Sequence, residues 1–149
     1  MSQPAEYVLS EGILLLPETA QDHSVTIVKL LKSRATLVIT RAWDVRPGDE
    51  QAYIDQQLVK VKRDMKNFAG DEPQESRFGP LPAREIAMRF ETQGVKVAQR
   101  LLVVRLESHL LALTFSCSGG FDAEALAVWD GIRQGFIPAT APGGPGDGG

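Results

Sequence analysis

The residues with which this chain could do chemistry are few, and their spacing assembles no reaction centre. His23 and His109 each sit beside a predicted turn, and neither has a neighbour at a spacing that suits zinc. Both read as surface residues. Ser116-Cys117-Ser118 followed by Gly119-Gly120 could set a nucleophile beside an oxyanion loop. It lacks the Gly-x-Ser-x-Gly elbow, and no histidine is placed to serve it. Cys117 follows an apolar run and reads as a small buried residue. Glu72 and Glu75 fall in a predicted loop, where solvation explains them better than acid–base work. Gly143 to Gly149 is rich in glycine but has no Lys-Ser/Thr pair and no helix after it, so it is no phosphate cradle. Lys60, Lys62, Arg63 and Lys66 are interleaved with acids and read as a solvated helix face. The expectation is a protein that is not an enzyme, with no catalytic residue, metal or cofactor.

The totals narrow the class further. A length of 149 residues with 43% hydrophobic and 23% charged residues suits one globular domain with a sizeable core. A net charge of -3 argues against nucleic acid, which demands a basic stripe. The single cysteine excludes an intramolecular disulfide and fits a reducing compartment. Met1 to Glu6 lacks the basic start and apolar core of a signal peptide, and no lipobox cysteine is near it. No stretch of about 18 apolar residues could span a bilayer. The expected location is the cytoplasm, without stable membrane insertion.

These residues must be positioned by an alternation of strands and helices. Residues 1–6 read as an N-terminal lead-in. Gly12 to Leu16 reads as a short strand, and Ser24 to Leu31 with Ala35 to Arg41 as a β-branched hairpin. Asp49 is placed to cap a helix over Glu50 to Ala69, whose stripe is Ile54, Leu58, Val61, Met65 and Phe68. Met65 and Phe68 belong to the expected core. Gln74 to Phe78 suggests a short strand. Ala83 to Thr92, Val95 to Leu106 and Leu110 to Ser116 form a meander. Asp122 can cap a second helix with the stripe Leu126, Trp129, Ile132 and Phe136. Residues 7–137 form the domain, and 138–149 a disordered Pro/Gly-rich tail. The class is α+β: a curved antiparallel sheet with two main helices packed on one face.

Several strands are apolar on both sides. Leu101 and Val103 share one face of their strand, and Leu102, Val104 and Leu106 the other. An antiparallel sheet with one wet face should alternate cleanly. The surplus could be covered by helices divided between the two faces, by a second subunit, or by a ligand.

Asp22-His23-Ser24-Val25-Thr26-Ile27, Leu37-Val38-Ile39-Thr40-Arg41, and Tyr53 with Gln56-Gln57-Leu58 resemble the DcrB-related domain. So do Gly94 to Arg100 and Trp129-Asp130-Gly131-Ile132 with Phe136. The likeness covers about residues 5–138. DcrB is an envelope lipoprotein, and the expected absence of an export signal here favours a cytoplasmic branch. That branch is the effector-associated gene (Eag) chaperones of type VI secretion.

The resemblance implies a curved Mog1/PsbP-like domain, usually a homodimer, that grips N-terminal transmembrane helices of a PAAR-containing effector. It further implies help in loading that effector onto the VgrG spike. On this analogy the effector-helix site comprises Val25, Ile27, Val38, Thr40, Gln99, Leu101, Leu113 and Phe115. Gln99 is the foremost polar contact, with Gln56 and Gln57 as weaker candidates. A parity error in any strand would exchange its binding residues for core residues. The alternative is a non-catalytic interaction module of the same class that binds a folded partner.

Overall fold

The computed structural model describes residues 5–138; the predicted tail falls almost wholly outside them. The chain order is β1 (Ala5–Leu9), β2 (Gly12–Leu16), β3 (Thr26–Leu30), β4 (Ala35–Ala42), α1 (Glu50–Asp64), β5 (Lys66–Gly70), β6 (Gln74–Phe78), β7 (Leu81–Thr92), β8 (Val95–Arg105), β9 (Leu110–Ser118) and α2 (Ala123–Gln134). Seven strands form one antiparallel sheet in the order β3-β4-β9-β8-β7-β5, with β6 also paired to β7. Strands β5 and β6 share the outer edge of β7: Lys66 to Gly70 pairs near its end and Gln74 to Phe78 near its start. The class is α+β with an open sheet, as the sequence implies. β1 and β2 make a separate two-stranded hairpin. Its first strand begins at Ala5, inside the stretch read as a lead-in.

The helices do not share a face, which corrects the expected arrangement. α1 lies with Ile54 among Ile86, Met88, Phe90, Leu101, Val103, Leu110 and Ala112. α2 lies with Ala125 and Trp129 among Leu37, Leu102, Val104, Leu111, Leu113 and Phe115. Consecutive residues of β8 and β9 fall to opposite sides, so one helix packs on each side of the sheet. The division is the physical reason for the two-sided apolar pattern: Leu101 and Leu102 are both buried, each under a different helix. We call the α1 side the first face and the α2 side the second.

Helix ends differ from expectation in two ways. α2 is capped as its sequence suggests, the Asp122 carboxylate accepting from the Ala125 amide at 2.7 Å. At α1 the Asp49 side chain makes no cap bond; Glu50 Oε1 instead accepts from the Gly48 amide at 2.9 Å. α1 also stops at Asp64 rather than near Ala69. Met65 is extended, Asn67 has φ 53°, and Lys66 pairs with Glu91 of β7. The free edge of β7 offers hydrogen bonds that outcompete further helix, so Phe68 reaches the same core from a strand.

Candidate functional site

The open part of the first face is the strongest candidate for a binding surface. α1 covers β7, the part of β8 around Leu101 and Val103, and the start of β9, but not Gln99 or the far half of the sheet. The register there is Val38 opposite Thr114, Thr40 opposite Ala112, Ile27 opposite Val38, and Gln99 opposite Ser116. These residues form a strip four strands wide, with α1 as a wall along one side. At about 4.8 Å between strands, it is roughly 14 Å across, enough for one helix of 10–12 Å diameter. Ile27 is 60% exposed, whereas Val38, Thr40, Gln99, Thr114 and Ser116 are half-buried.

Polar atoms in the strip are tied down but not saturated. Ser116 Oγ donates to Gln99 Oε1 at 3.1 Å, and Gln99 Nε2 lies 3.6 Å from the Met88 sulfur. A thioether is a weak acceptor, and an amide nitrogen carries two donors. Gln99 can therefore donate to a guest while its oxygen stays fixed by Ser116. The strip offers aliphatic contact from Ile27 and Val38, and hydroxyl and amide groups from Thr40, Thr114, Ser116 and Gln99.

The predicted site residues divide. Ile27, Val38, Thr40, Gln99 and Leu101 all point to the first face, with Leu101 buried beside α1. Val25 precedes β3 and is exposed. Leu113 and Phe115 do not join them. They lie on the second face, 1% and 0% exposed, in the core beneath α2. The parity chosen for β9 is thus corrected: its strip residues are Thr114 and Ser116. The sequence carries a signal for this. Leu111, Leu113, Phe115 and Cys117 are uniformly apolar, whereas Ala112, Thr114, Ser116 and Ser118 are small or hydroxylic. The uniform set belongs in a closed core and the mixed set on an open face. Gln57 is half-buried and Gln56 exposed on α1. Neither makes a side-chain hydrogen bond among the described residues.

Glu85, His109 and Cys117, whose titration the fold shifts, lie away from the strip. Glu85, on the second face, is half-buried. Burial tends to raise its pKa, but hydrogen bonds from Trp129, Arg100 and Ser76 and the charge of Arg133 outweigh this and leave it lowered. A polar cavity of about 490 Å³ adjoins it, lined in part by Asp71, Glu72, Arg100 and Arg133. Burial lowers the His109 pKa, as do the charges of Arg41 and Arg105. Its ring stacks on Trp43 with centroids 4.1 Å apart. Burial raises the Cys117 thiol, next to the charge of Asp122. Among the described residues no group of three or more His, Cys, Asp or Glu is placed to hold a metal ion. Nor is any helix there long and apolar enough to cross a membrane.

Comparison with solved structures places the fold. A crystal structure of PA94 from Pseudomonas aeruginosa, a protein of unknown function, is similar with a TM-score of 0.74 at 20% identity, covering 93% of this chain and 99% of that one. At that identity the likeness speaks for the fold alone. LpqN of Mycobacterium tuberculosis, involved in cell envelope biogenesis, gives a TM-score of 0.41 at 17% identity over 70% of this chain and 62% of that one, too low to carry an argument. No curated protein matches. The model of the DcrB family matches residues 11–134, from the β1–β2 turn to the end of α2, and the chain belongs to that family.

Proposed function

We propose that this protein is a chaperone or adaptor of type VI secretion that shields hydrophobic helices of an effector in the cytoplasm. The observation that carries the reading is the half-open first face, where α1 walls an uncovered strip wide enough for one helix. An apolar helix of about 20 residues cannot stay exposed in water. Ile27 and Val38 supply aliphatic contact, and burying each Leu-sized guest side chain contributes about 1.5–3 kcal/mol. Thr40, Thr114, Ser116 and Gln99 can satisfy Ser, Thr or exposed carbonyls of the guest, because buried polar groups need partners. In this reading the guest is the N-terminal transmembrane segment of a PAAR-containing effector, and the outcome is its loading on VgrG.

The same reading includes a homodimer. The β1–β2 hairpin supports this part, since Val8, Ile13 and Leu15 project from one of its faces and are all exposed. A two-stranded hairpin is marginal by itself in water, and exposed aliphatic area of this kind marks an interface.

The test is co-expression of the chain with the N-terminal fragment of the effector encoded beside it. The fragment should be soluble and co-purify with the chain, and Ile27→Asp with Val38→Asp should abolish both effects. If the fragment is equally soluble alone, the chaperone role is wrong. The hydroxyl content of the strip favours one second reading, an interaction module that binds a folded partner. Retention of a folded effector domain, with no retention of the apolar fragment, would decide for it.

A further inference from the structure

The charges around the strip are distributed unevenly along its length. One end of the sheet is marked by the pairing of Ala35 with Cys117 and of Cys117 with Ala98. The β3–β4 turn lies there, with Lys32 and Arg34, and Lys29 projects onto the first face opposite Thr36. α1 ends at the same end, because Lys66 just after it pairs with Glu91, which in turn pairs with Lys96. Lys66 lies beyond α1 on the outer edge of β7, so the cations that flank the strip at this end are those of β3 and its turn. Of the acids at this end, Asp64 is paired with Arg63 at 3.0 Å, Glu91 is on the second face, and Glu124 shares a surface hollow with Lys32 and Ser33 at the start of α2, leaving Lys29 and Arg34 in excess. The opposite end is marked by Arg105 pairing with Leu110, and by the Arg105–Glu50 ion pair of 2.7 Å at the start of α1. Asp44 and Asp49 are exposed there, with Arg46 as the cation between them.

A helix carries about half a positive charge at its N-terminus and half a negative charge at its C-terminus. A guest helix lying beside α1 would meet full cations at the β3–β4 turn and a net acidic end opposite. The half charge at the C-terminus of α1 opposes this arrangement, but Lys29, Lys32 and Arg34 are whole charges.

We propose that the open strip binds its apolar helix with one polarity, C-terminal end toward the β3–β4 turn and parallel to α1. Guests with acidic residues just after the apolar segment bind best. This rests on the reading of the strip as a helix-binding site. It adds a direction that apolar contact alone does not impose.

The experiment uses the full chain, labelled with nitrogen-15, and a 20-residue helical peptide of Leu, Ala and Ser with both ends blocked. A nitroxide sits at the N-terminus of one version and at the C-terminus of the other. The C-terminal label should broaden the amide signals of Ser33 and Arg34, and the N-terminal label those of Asp44 and Val45. The expected bias is about five- to tenfold, from end effects of this size acting together. It should fade in 0.5 M salt, because screening shortens the reach of exposed charges. Lys29→Glu with Lys32→Glu changes two exposed side chains and should remove the bias while leaving the circular dichroism spectrum unchanged. Equal broadening of both ends by both labels, or the reverse pattern, overturns the polarity but leaves the helix-binding reading standing. Failure of either peptide to bind overturns both.

Discussion

Glu85 joins three elements through one carboxylate. Its Oε2 accepts from Trp129 Nε1 at 2.9 Å and from Arg100 Nη1 at 2.7 Å, and its Oε1 accepts from Ser76 Oγ at 2.9 Å. Arg133 Nε is buried without a hydrogen bond and faces the same carboxylate at 3.6 Å. Removing one partner of a buried charge group costs more than the pair contributes, because the survivor stays desolvated. Glu85→Gln should therefore lose about 2–3 kcal/mol of unfolding free energy in a urea titration. The pH dependence has a definite sign. The folded-state pKa of Glu85 is lowered, so the folded protein binds its proton less readily than the unfolded chain. Its contribution is complete above the ordinary glutamate value of about 4.3 and is lost as pH falls through the folded value. Below that ordinary value, the gap between wild type and Glu85→Gln should close. A gap that stays constant down to pH 3 would show that the carboxylate charge is not what the fold uses.

At the level of elements, α2 is held at both ends. Asp122 caps its start, and its last turn is clamped by the β6–β7 turn. Gly79 has φ 58°, donates its amide to the Arg133 carbonyl at 2.6 Å, and would place a Cβ 2.2 Å from the Phe136 carbonyl oxygen. Phe136 stacks on Phe78 with centroids 3.9 Å apart. Gly94 also has a left-handed backbone, φ 78°, but open space around its missing Cβ. Gly94→Ala should cost about 1–2 kcal/mol for conformation alone. Gly79→Ala should cost clearly more and accelerate hydrogen exchange through Arg133 to Phe136. Equal costs for the two would mean that the clamp contributes nothing. Local features of this kind are largely legible in the sequence: the Asp122 cap, the meander and the stripe containing Trp129 all follow from spacing. The allotment of faces is less so. In β9 the alternation of apolar Leu113 and Phe115 with hydroxylic Thr114 and Ser116 tells the closed side from the open one, but which helix covers each side depends on register across β4, β9 and β8. The end of α1 is hidden for a related reason. Phe68 stands three residues after Met65 and continues the helical stripe, although the edge of β7 has already claimed Lys66 for a strand. Ile27, Val38, Thr40 and Gln99 follow from the family resemblance rather than from alternation, because β3 and β4 are apolar on both sides. Thr114 and Ser116 carry little signal of a binding role by themselves, because hydroxyls suit an ordinary solvated face equally well.

For the whole molecule, exposed large apolar side chains among the described residues cluster in two places, around β3 and on the β1–β2 hairpin, with Val59, Val95 and Ile137 standing singly elsewhere. The hairpin meets the rest of the chain through Tyr7, whose Oη donates to Ser24 Oγ at 3.4 Å. Val8 is 72% exposed and Leu15 75%, on the same side as Ile13. Covering these three side chains would contribute about 5–9 kcal/mol per hairpin. Two hairpins in a symmetric pair can offset the 4–15 kcal/mol lost on association. In the proposed homodimer, Val8→Asp with Leu15→Asp should weaken self-association more than about 100-fold, read by sedimentation equilibrium. The main sheet should survive, because neither residue belongs to the cores under α1 and α2. Trp129 lies in one of those cores, so its fluorescence and the urea midpoint of the dilute protein serve as controls. A wild-type chain that sediments as a monomer at about 100 μM would end the homodimer proposal. A dimer whose affinity ignores both substitutions would move the contact from the hairpin to the free edge of β3, where Val28 and Leu31 are also exposed.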